Sequence, residues 1–527
     1  MGFVSIYDTT LRDGSQGEGI SFTLEDKLKI VKKLDKLGID YIEGGWPGSN
    51  PKDEAFFRKV QDLDLKHSQV TAFSSTRRPG IKVEKDKNIQ KLANSGVDIV
   101  TIFAKSWDFH VTDALETSLE ENLDMIRDTV TFLKDQGLTV FFDAEHFFDG
   151  YVNNPDYALK TLKVAEEAGA DELILCDTNG GVLTERLREI FLEVKEKTET
   201  PVGIHAHNDG GLGVANSVAA FEEGVSQIQG TMGGIGERCG NADLCSVLPT
   251  IKLKYADEYL PQINLKLLTP TYFFVMETAN VIPDNQRPYV GKSAFTHKGG
   301  IHVSALQKDP ATYEHIEPEE VGNERRVLVS ELAGKSNFRY KLEEIGLDLD
   351  SFDKEKLAHL SNTIKRMEHK GYQFEGAEAS LKLLIYREYY DYEPFFKVHD
   401  FKIISHNSTG EETNSEAMVK VDVEGERVHT AAEGDGPVNA LDNGLRKALN
   451  GFAPEVKDMK LIDYKVRVLN GTDGTAAKVR VLIETADLES SWTTVGVSTN
   501  IIQASWQALL DSIEYGLLKK EIEEKEM

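Results

Sequence analysis

Three cysteines in 527 residues are too few for a disulfide framework. They predict a chain kept in a reducing compartment, the cytoplasm by default. Long apolar runs are also missing, and none approaches the roughly 20 residues that a membrane-spanning helix needs. The opening stretch, Met1 to Asp8, turns polar too soon for a secretory leader. Basic charge is in deficit: Lys and Arg number 60 against 88 Asp and Glu, a formal net charge of −28. A general grip on nucleic acid needs clustered cations to displace phosphate counterions, so none is expected. At about 150 residues per domain, the length predicts two to four domains with ample core.

What is present is alternation. From residue 3 to about 255, short β-rich runs (Val4–Tyr7, Ile39–Glu43, Val70–Phe73, Val97–Phe103, Leu138–Asp143, Glu172–Cys176, Val202–His205 and Val225–Gln229) alternate with amphipathic helical stretches. Leu24, Leu28, Val31 and Leu34 recur at helical spacing, and Gly38, Gly96, Gly137 and Gly169 stand where helices end before the next strand. Eight such units in about 250 residues predict a (β/α)8 TIM barrel over 1–260, with a doubly wound open sheet as the rival. Residues 261–395, punctuated by Pro and Gly, read as helical linker subdomains. Residues 396–527 read as a duplicated βββα unit, an α+β domain suited to sensing a small ligand or to dimerisation. Asn439 and Asn500, 61 residues apart, mark matching places in the two copies.

In a barrel of this kind chemistry gathers where the strands end. Those positions hold Asp8–Gly14, Glu43, Asp143–His146, Cys176–Gly180, His205–Asp209 and Gly233–Asn241. His205 and His207 stand at i and i+2 on a strand, so both imidazoles face one way and can reach one cation. Asp13 can add a carboxylate oxygen and Asn241 an amide oxygen. Such a mixed N/O site suits Mn²⁺, Zn²⁺, Co²⁺ or Mg²⁺. The plainer reading is a His-x-His pair that fills the barrel end with satisfied hydrogen bonds. Arg12 beside Asp13 could stabilise an oxyanion forming on a 2-oxoacid bound to such a cation; otherwise it is a salt bridge to Glu43 or Asp8. Cys239 and Cys245 match no zinc spacing and read as buried structural thiols. Gly234, Gly236 and Gly240 have the wrong spacing for a dinucleotide loop and read as a tight turn.

Asp8-Thr9-Thr10-Leu11-Arg12-Asp13-Gly14-Ser15-Gln16, Glu43, His205-Ala206-His207-Asn208-Asp209 and Gly234–Asn241 together resemble the 2-isopropylmalate, homocitrate and citramalate synthases. These are metal-dependent, Claisen-condensing TIM-barrel enzymes. The resemblance continues through Gly299-Gly300-Ile301-His302 and the duplicated C-terminal domain, and Gly17–Phe22 with Ile42–Gly48 look most like the citramalate branch. One departure stands out, Glu-Gly-Gly-Trp-Pro at 43–47 where isopropylmalate synthases usually read Glu-Val-Gly-Phe-Pro.

The resemblance implies an acyltransferase of isoleucine biosynthesis that joins acetyl-CoA and pyruvate to give (R)-citramalate and CoA. It implies metal ligation by Asp13, His205 and His207 with Asn241 completing or flanking the site, and Arg12 held by Glu43 at the keto oxygen. It places Thr178 at the oxoacid carboxylate, and Glu145 and His302, with Tyr313, near the acetyl methyl group. His302 lies beyond the barrel sequence, so the linker subdomains are expected to cover the barrel mouth. Phe73 and Phe103, at strand ends, are candidates for restricting the pocket to pyruvate. The C-terminal domain resembles a homodimerising, leucine- or isoleucine-sensing domain. Isoleucine is the expected effector, near Gly434, Asp435, Gly436 and Pro437 and the Gly471–Gly474 turn. The alternatives are another 2-oxoacid (2-isopropylmalate or homocitrate synthase), a lyase with the same metal rim, and an amino-acid sensor built on an inactive barrel.

Overall fold

The structure, a computed structural model, describes residues 3–298, 300–306, 308–327, 354–374, 377–390, 392–406, 414–469, 477–488 and 490–526. They fall into two compact units, one drawn from 1–296 and 314–326, the other from 297–313 and 327–527.

The first unit is a closed barrel of eight strands in sequence order: β1 (Ser5–Asp8), β2 (Tyr41–Glu43), β3 (Gln69–Ser75), β4 (Ile99–Lys105), β5 (Thr139–Glu145), β6 (Glu172–Asp177), β7 (Val202–Ala206) and β8 (Gln227–Gly230). All pairings are parallel, and β1 closes the ring by pairing with both β2 and β8. The predicted barrel is therefore present and the open sheet is excluded. Side chains alternate across each strand. Ile6, Ile42, Val100, Phe142, Leu175 and Ile228 belong to the large core shared with the surrounding helices. Tyr7, Ile99 and Phe141, with Tyr41 packed on them, form a separate small cluster. The alternating set that carries this cluster also carries Glu43, Thr71, Thr101, Asp143, Glu172, His205, Gln227 and Gln229, all buried. This barrel interior is polar where branched aliphatic layers are usual.

The helices begin and end where the sequence signals them. Thr23 and Asp26 form a reciprocal capping box ahead of the helix Leu24–Leu37. Gly38 ends that helix in the left-handed region at φ 97°, its N–H reaching the Leu34 and Asp35 carbonyls. Asn264 N–H donates to the Leu37 carbonyl at 2.8 Å, and Gln262 Nε2 donates to Asp40, so the chain beyond 260 is tied to this end of the helix.

In the second unit two antiparallel sheets each precede a helix. The first has β9 (Phe396–His406), β10 (Asn414–Val423) and β11 (Glu426–Gly434), then the helix Pro437–Leu449. The second has β12 (Lys460–Val468), β13 (Val479–Ala486) and β14 (Ser491–Ser498), then the helix Ile501–Glu526. The predicted duplication is present, and one core containing Val419, Val421, Leu445, Val481, Ile483 and Trp506 joins the copies. Asn439 and Asn500 are not equivalent, however. Asn500 precedes its helix and accepts from the Ile502 N–H, whereas Asn439 lies inside its helix and accepts from the Asp435 N–H. Among the described residues no helix is long and apolar enough to cross a membrane.

Gly38→Ala tests the helix-ending geometry. A β-carbon there takes on the left-handed penalty of about 1–2 kcal/mol and meets the Gln262 carbonyl. A clear fall in thermal midpoint is expected, larger than that of Gly137→Ala, where nothing crowds the same backbone conformation.

Candidate active site

The loops after the strands line a cavity of about 460 Å³ whose walls include Arg12, Asp13, Glu145, Thr178, His205 and His207. His205 and His207 point the same way, their ring centroids 5.2 Å apart. Asp13 Oδ2 lies 3.4 Å from His205 Nε2 and 3.8 Å from His207 Nε2. The three residues are buried, and one candidate ligand atom from each lies within 4.8 Å of the others. The His-x-His pair and Asp13 thus form a group that could hold a metal ion.

Whether these residues fit a divalent cation can be judged from their unmet valences. Asn241 donates from Nδ2 to the Ile235 carbonyl at 3.2 Å, leaving Oδ1 buried with no hydrogen-bond partner. His205 Nδ1 lies 2.8 Å from Gln229 Oε1, so its Nε2 faces the Asp13 carboxylate as a second acceptor, a pairing that a proton or a cation must neutralise. Two imidazoles, a carboxylate and an amide oxygen fit Mn²⁺, Zn²⁺, Co²⁺ or Mg²⁺. The same contacts set the direction in which these groups titrate. Burial opposes charge on Asp13, yet Arg12, His205 and His207 hold its carboxyl well below the usual range. Burial also opposes charge on His205, and Asp13 outweighs it and raises the imidazole pKa. Burial and the His205 charge push His207 down to about 4.

Arg12 is clamped. Its Nε donates to Glu43 Oε2 at 2.6 Å, its Nη1 to Asp13 Oδ2 at 3.2 Å, and its guanidinium carbon sits 3.9 Å above the Phe73 ring. Glu43 also accepts from Tyr7 at 2.8 Å and from the Thr9 hydroxyl. The bridge to Glu43 weighed from the sequence thus exists and is what aims Arg12; Asp8 bonds Thr10 instead. Phe73 stacks on Phe103 at 5.2 Å, with Trp46 edge-on to both at 6.0 Å. Glu145 is paired with Lys105 at 2.5 Å, its register partner on β4. Thr178 Oγ1 accepts the His146 N–H at 2.9 Å. His302 and Tyr313 lie in the second unit, stacked with ring centroids 4.1 Å apart.

Other expectations fare unevenly. Gly234, Gly236 and Gly240 all have positive φ, as a tight turn requires. Cys245 is buried as expected, but Cys239 is exposed, in the same turn as Arg238. Three wall or support residues were given no role in the sequence reading: Trp46, Gln229 and Asp143, the last named only as a strand-end residue. Asp143 was findable, since it stands at i−2 from Glu145 on one strand and so shares its face. Burial pushes the Asp143 carboxyl up to about 7, with His205 opposing.

In the second unit a separate cavity of about 640 Å³ is lined by Val438, Asn439, Asp442, Arg446, Leu461 and Tyr464 among others. It begins one residue past Pro437. The Gly471–Gly474 turn lies outside the described residues.

Asp13→Asn is expected to weaken Mn²⁺ binding by more than about 100-fold, since losing even an outer hydrogen-bond partner of a metal ligand costs about 10–100-fold. Competition against a fluorescent chelator measures it, and unchanged affinity would remove Asp13 from the site.

Residues 3–274 match the HMGL-like family, residues 289–372 the homocitrate synthase post-HMGL domain-like family, and residues 375–517 the LeuA allosteric (dimerisation) domain. The chain is 55% identical over 522 residues to an (R)-citramalate synthase of Geobacter sulfurreducens and 53% identical over 522 residues to one of Aquifex aeolicus, each alignment covering 99% of both chains. It is 51% identical over 524 residues to an (R)-citramalate synthase of Synechocystis, covering 97% of this chain and 96% of the other. With the closed barrel, its Asp-His-His cluster and this likeness along the whole length, the chain belongs to the HMGL-like family, in the group of the (R)-citramalate synthases.

Proposed function

We propose that this chain is an (R)-citramalate synthase, which bonds the acetyl methyl carbon of acetyl-CoA to the keto carbon of pyruvate and hydrolyses the thioester to release CoA. The observation that carries the reading is the convergence of Arg12, Asp13, His205, His207 and Glu145 on one cavity, in a chain 55% identical to a named citramalate synthase. Asp13, His205 and His207, flanked by Asn241, would hold a divalent cation, which would supply Lewis-acid polarisation of the oxoacid's keto group. Arg12 donates to the same oxygen as negative charge develops on it, and Glu43 and Phe73 fix its aim. The Thr178 hydroxyl binds the oxoacid carboxylate. Glu145, steered by Lys105, takes a proton from the acetyl methyl group directly or through a water; the α-proton of a thioester is weakly acidic, so a placed base is needed. The parts of His302 and Tyr313 in proton transfer rest on the family resemblance alone. Phe73, Phe103 and Trp46 form the wall that favours the methyl group of pyruvate over a branched or acidic side chain.

For the second unit we propose amino-acid sensing and dimerisation in a cytoplasmic homodimer serving isoleucine synthesis. Three unpaired cysteines fit a reducing compartment. The 640 Å³ cavity offers Asp442 and Arg446, paired at 2.7 Å, toward an ammonium and a carboxylate, and Leu461 and Met459 toward an aliphatic side chain. Ile462, Val466 and Val468 stand 41–55% exposed along the edge strand β12, apolar positions suited to a second copy. The organisation expected from the sequence is kept as part of the proposal: a catalytic barrel over 1–260, linker subdomains over 261–395 and a regulatory domain over 396–527.

CoA release from acetyl-CoA with Mn²⁺ is expected with pyruvate, at rates well above those with 2-oxoisovalerate or 2-oxoglutarate, and is expected to vanish on chelation. Preference for another oxoacid would overturn the substrate assignment, and silence with all three would favour the sensor on an inactive barrel. Isoleucine is expected to inhibit at the second unit, and Tyr464→Ala to raise its inhibitory concentration about tenfold or more, within the 1–3 kcal/mol usual for allosteric coupling. Inhibition by leucine alone would reassign the effector.

A further inference from the structure

The pairing of β7 and β8 sets His205 opposite Gln229. Both side chains are buried, and His205 Nδ1 lies 2.8 Å from Gln229 Oε1. A carboxamide oxygen only accepts, so the ring donates from Nδ1 and its Nε2 turns a lone pair toward Asp13. The orientation of Gln229 is itself determined. Its Nε2 donates to Gln227 Oε1 at 3.1 Å and to Asp143 Oδ1 at 3.3 Å. A flipped amide would set its oxygen against those two acceptors and its nitrogen against the ring. Gln227 in turn donates from Nε2 to Glu172 Oε2 at 3.0 Å, and the Ser226 hydroxyl closes the run on Glu172 Oε1 at 2.5 Å.

The result is a one-way line of donation from His205 to a carboxylate at the start of β6. Both amide oxygens along it accept and both Gln229 amide hydrogens are donated, which is how a buried polar network holds one arrangement. Room for it comes from Gly203, two residues before His205 on the same strand face. A β-carbon at Gly203 would meet the Ile174 side chain and lie 3.2 Å from the Gln227 β-carbon.

We propose that Gln229 is a positioning residue for the candidate metal centre: it holds His205 in the tautomer that presents Nε2 to a divalent cation, while Gln227, Asp143 and Glu172 hold Gln229. The proposal rests on reading Asp13, His205 and His207 as metal ligands. It explains why a barrel interior that would pack well with aliphatic side chains carries Gln227, Gln229, Asp143 and Glu172. Histidine ligands generally need a partner on the other ring nitrogen, and its loss costs about 10–100-fold in metal affinity.

The full-length chain and its Gln229→Leu variant are titrated with Mn²⁺ in competition with a fluorescent chelator, far-UV circular dichroism reporting the fold. The variant is expected to bind about 10–100-fold more weakly, and unchanged affinity in a folded variant overturns the assignment. Should the variant not fold, the wild-type chain decides. Histidine-¹⁵N spectra of the Zn²⁺-loaded protein are expected to show His205 with its proton on Nδ1 and the metal on Nε2, and ligation through Nδ1 overturns the proposal. A wild-type chain that binds neither Mn²⁺ nor Zn²⁺ overturns the metal reading itself, and the positioning role with it.

Discussion

A single buried carboxylate organises the mouth of this barrel. Glu43 is fully enclosed and accepts from Tyr7, Thr9 and Arg12. Burying a charge is tolerable only when it is paired and hydrogen-bonded, and stripping one partner from such a pair costs about 3–5 kcal/mol. The constraint works in both directions. Arg12 cannot swing away without stranding Glu43, so its guanidinium stays over Phe73, and Nη1 stays on Asp13. The aim of Arg12 and the placement of Asp13 thus follow from one ion pair between β1's loop and β2.

The same logic extends down the barrel. Tyr7 donates to Glu43 and accepts from the Thr71 and Thr101 hydroxyls, while the glutamines of β8 connect His205 to Glu172. Most hydrophobic burial lies outside the ring, where strands meet helices, and inside it a small cluster of Tyr7, Tyr41, Ile99 and Phe141 leaves the rest of the interior to polar groups. Two of its carboxyls, Asp143 and Glu172, are pushed up to about 7 by burial. Charge on them is therefore costly to the fold near neutral pH, a sign that the interior is arranged for the site and not for maximal stability.

Much of this was legible in the residue order. Strand positions followed from β-rich runs bounded by glycines such as Gly38, whose left-handed backbone only glycine adopts freely. The candidate metal cluster followed from the two-residue period that puts His205 and His207 on one face, and the candidacy of Arg12 from its place beside Asp13. Other features were illegible because they depend on which strands become neighbours. Gln229 meets His205 only through the register of β7 against β8. Lys105 reaches Glu145 only because β4 and β5 pair in that register. Trp46 reaches Phe73 and Phe103 only when the loop after β2 folds across the ends of β3 and β4. Asn439 and Asn500 show the reverse limit: equal spacing suggested equal roles, and the helix starts differ.

Sequence alone determined the alternation of strands and helices, the parity of each strand's faces and the residue types delivered to the strand ends, because these depend on local periodicity and on the fixed geometry of extended chain. Tertiary structure alone decided the closure of the sheet, the register between strands, and with it the partners of each buried polar group. Those partners set which nitrogen of His205 faces Asp13 and where Arg12 points. Side chains distant in sequence acquire such relations only when a closed ring of strands brings them within hydrogen-bonding distance.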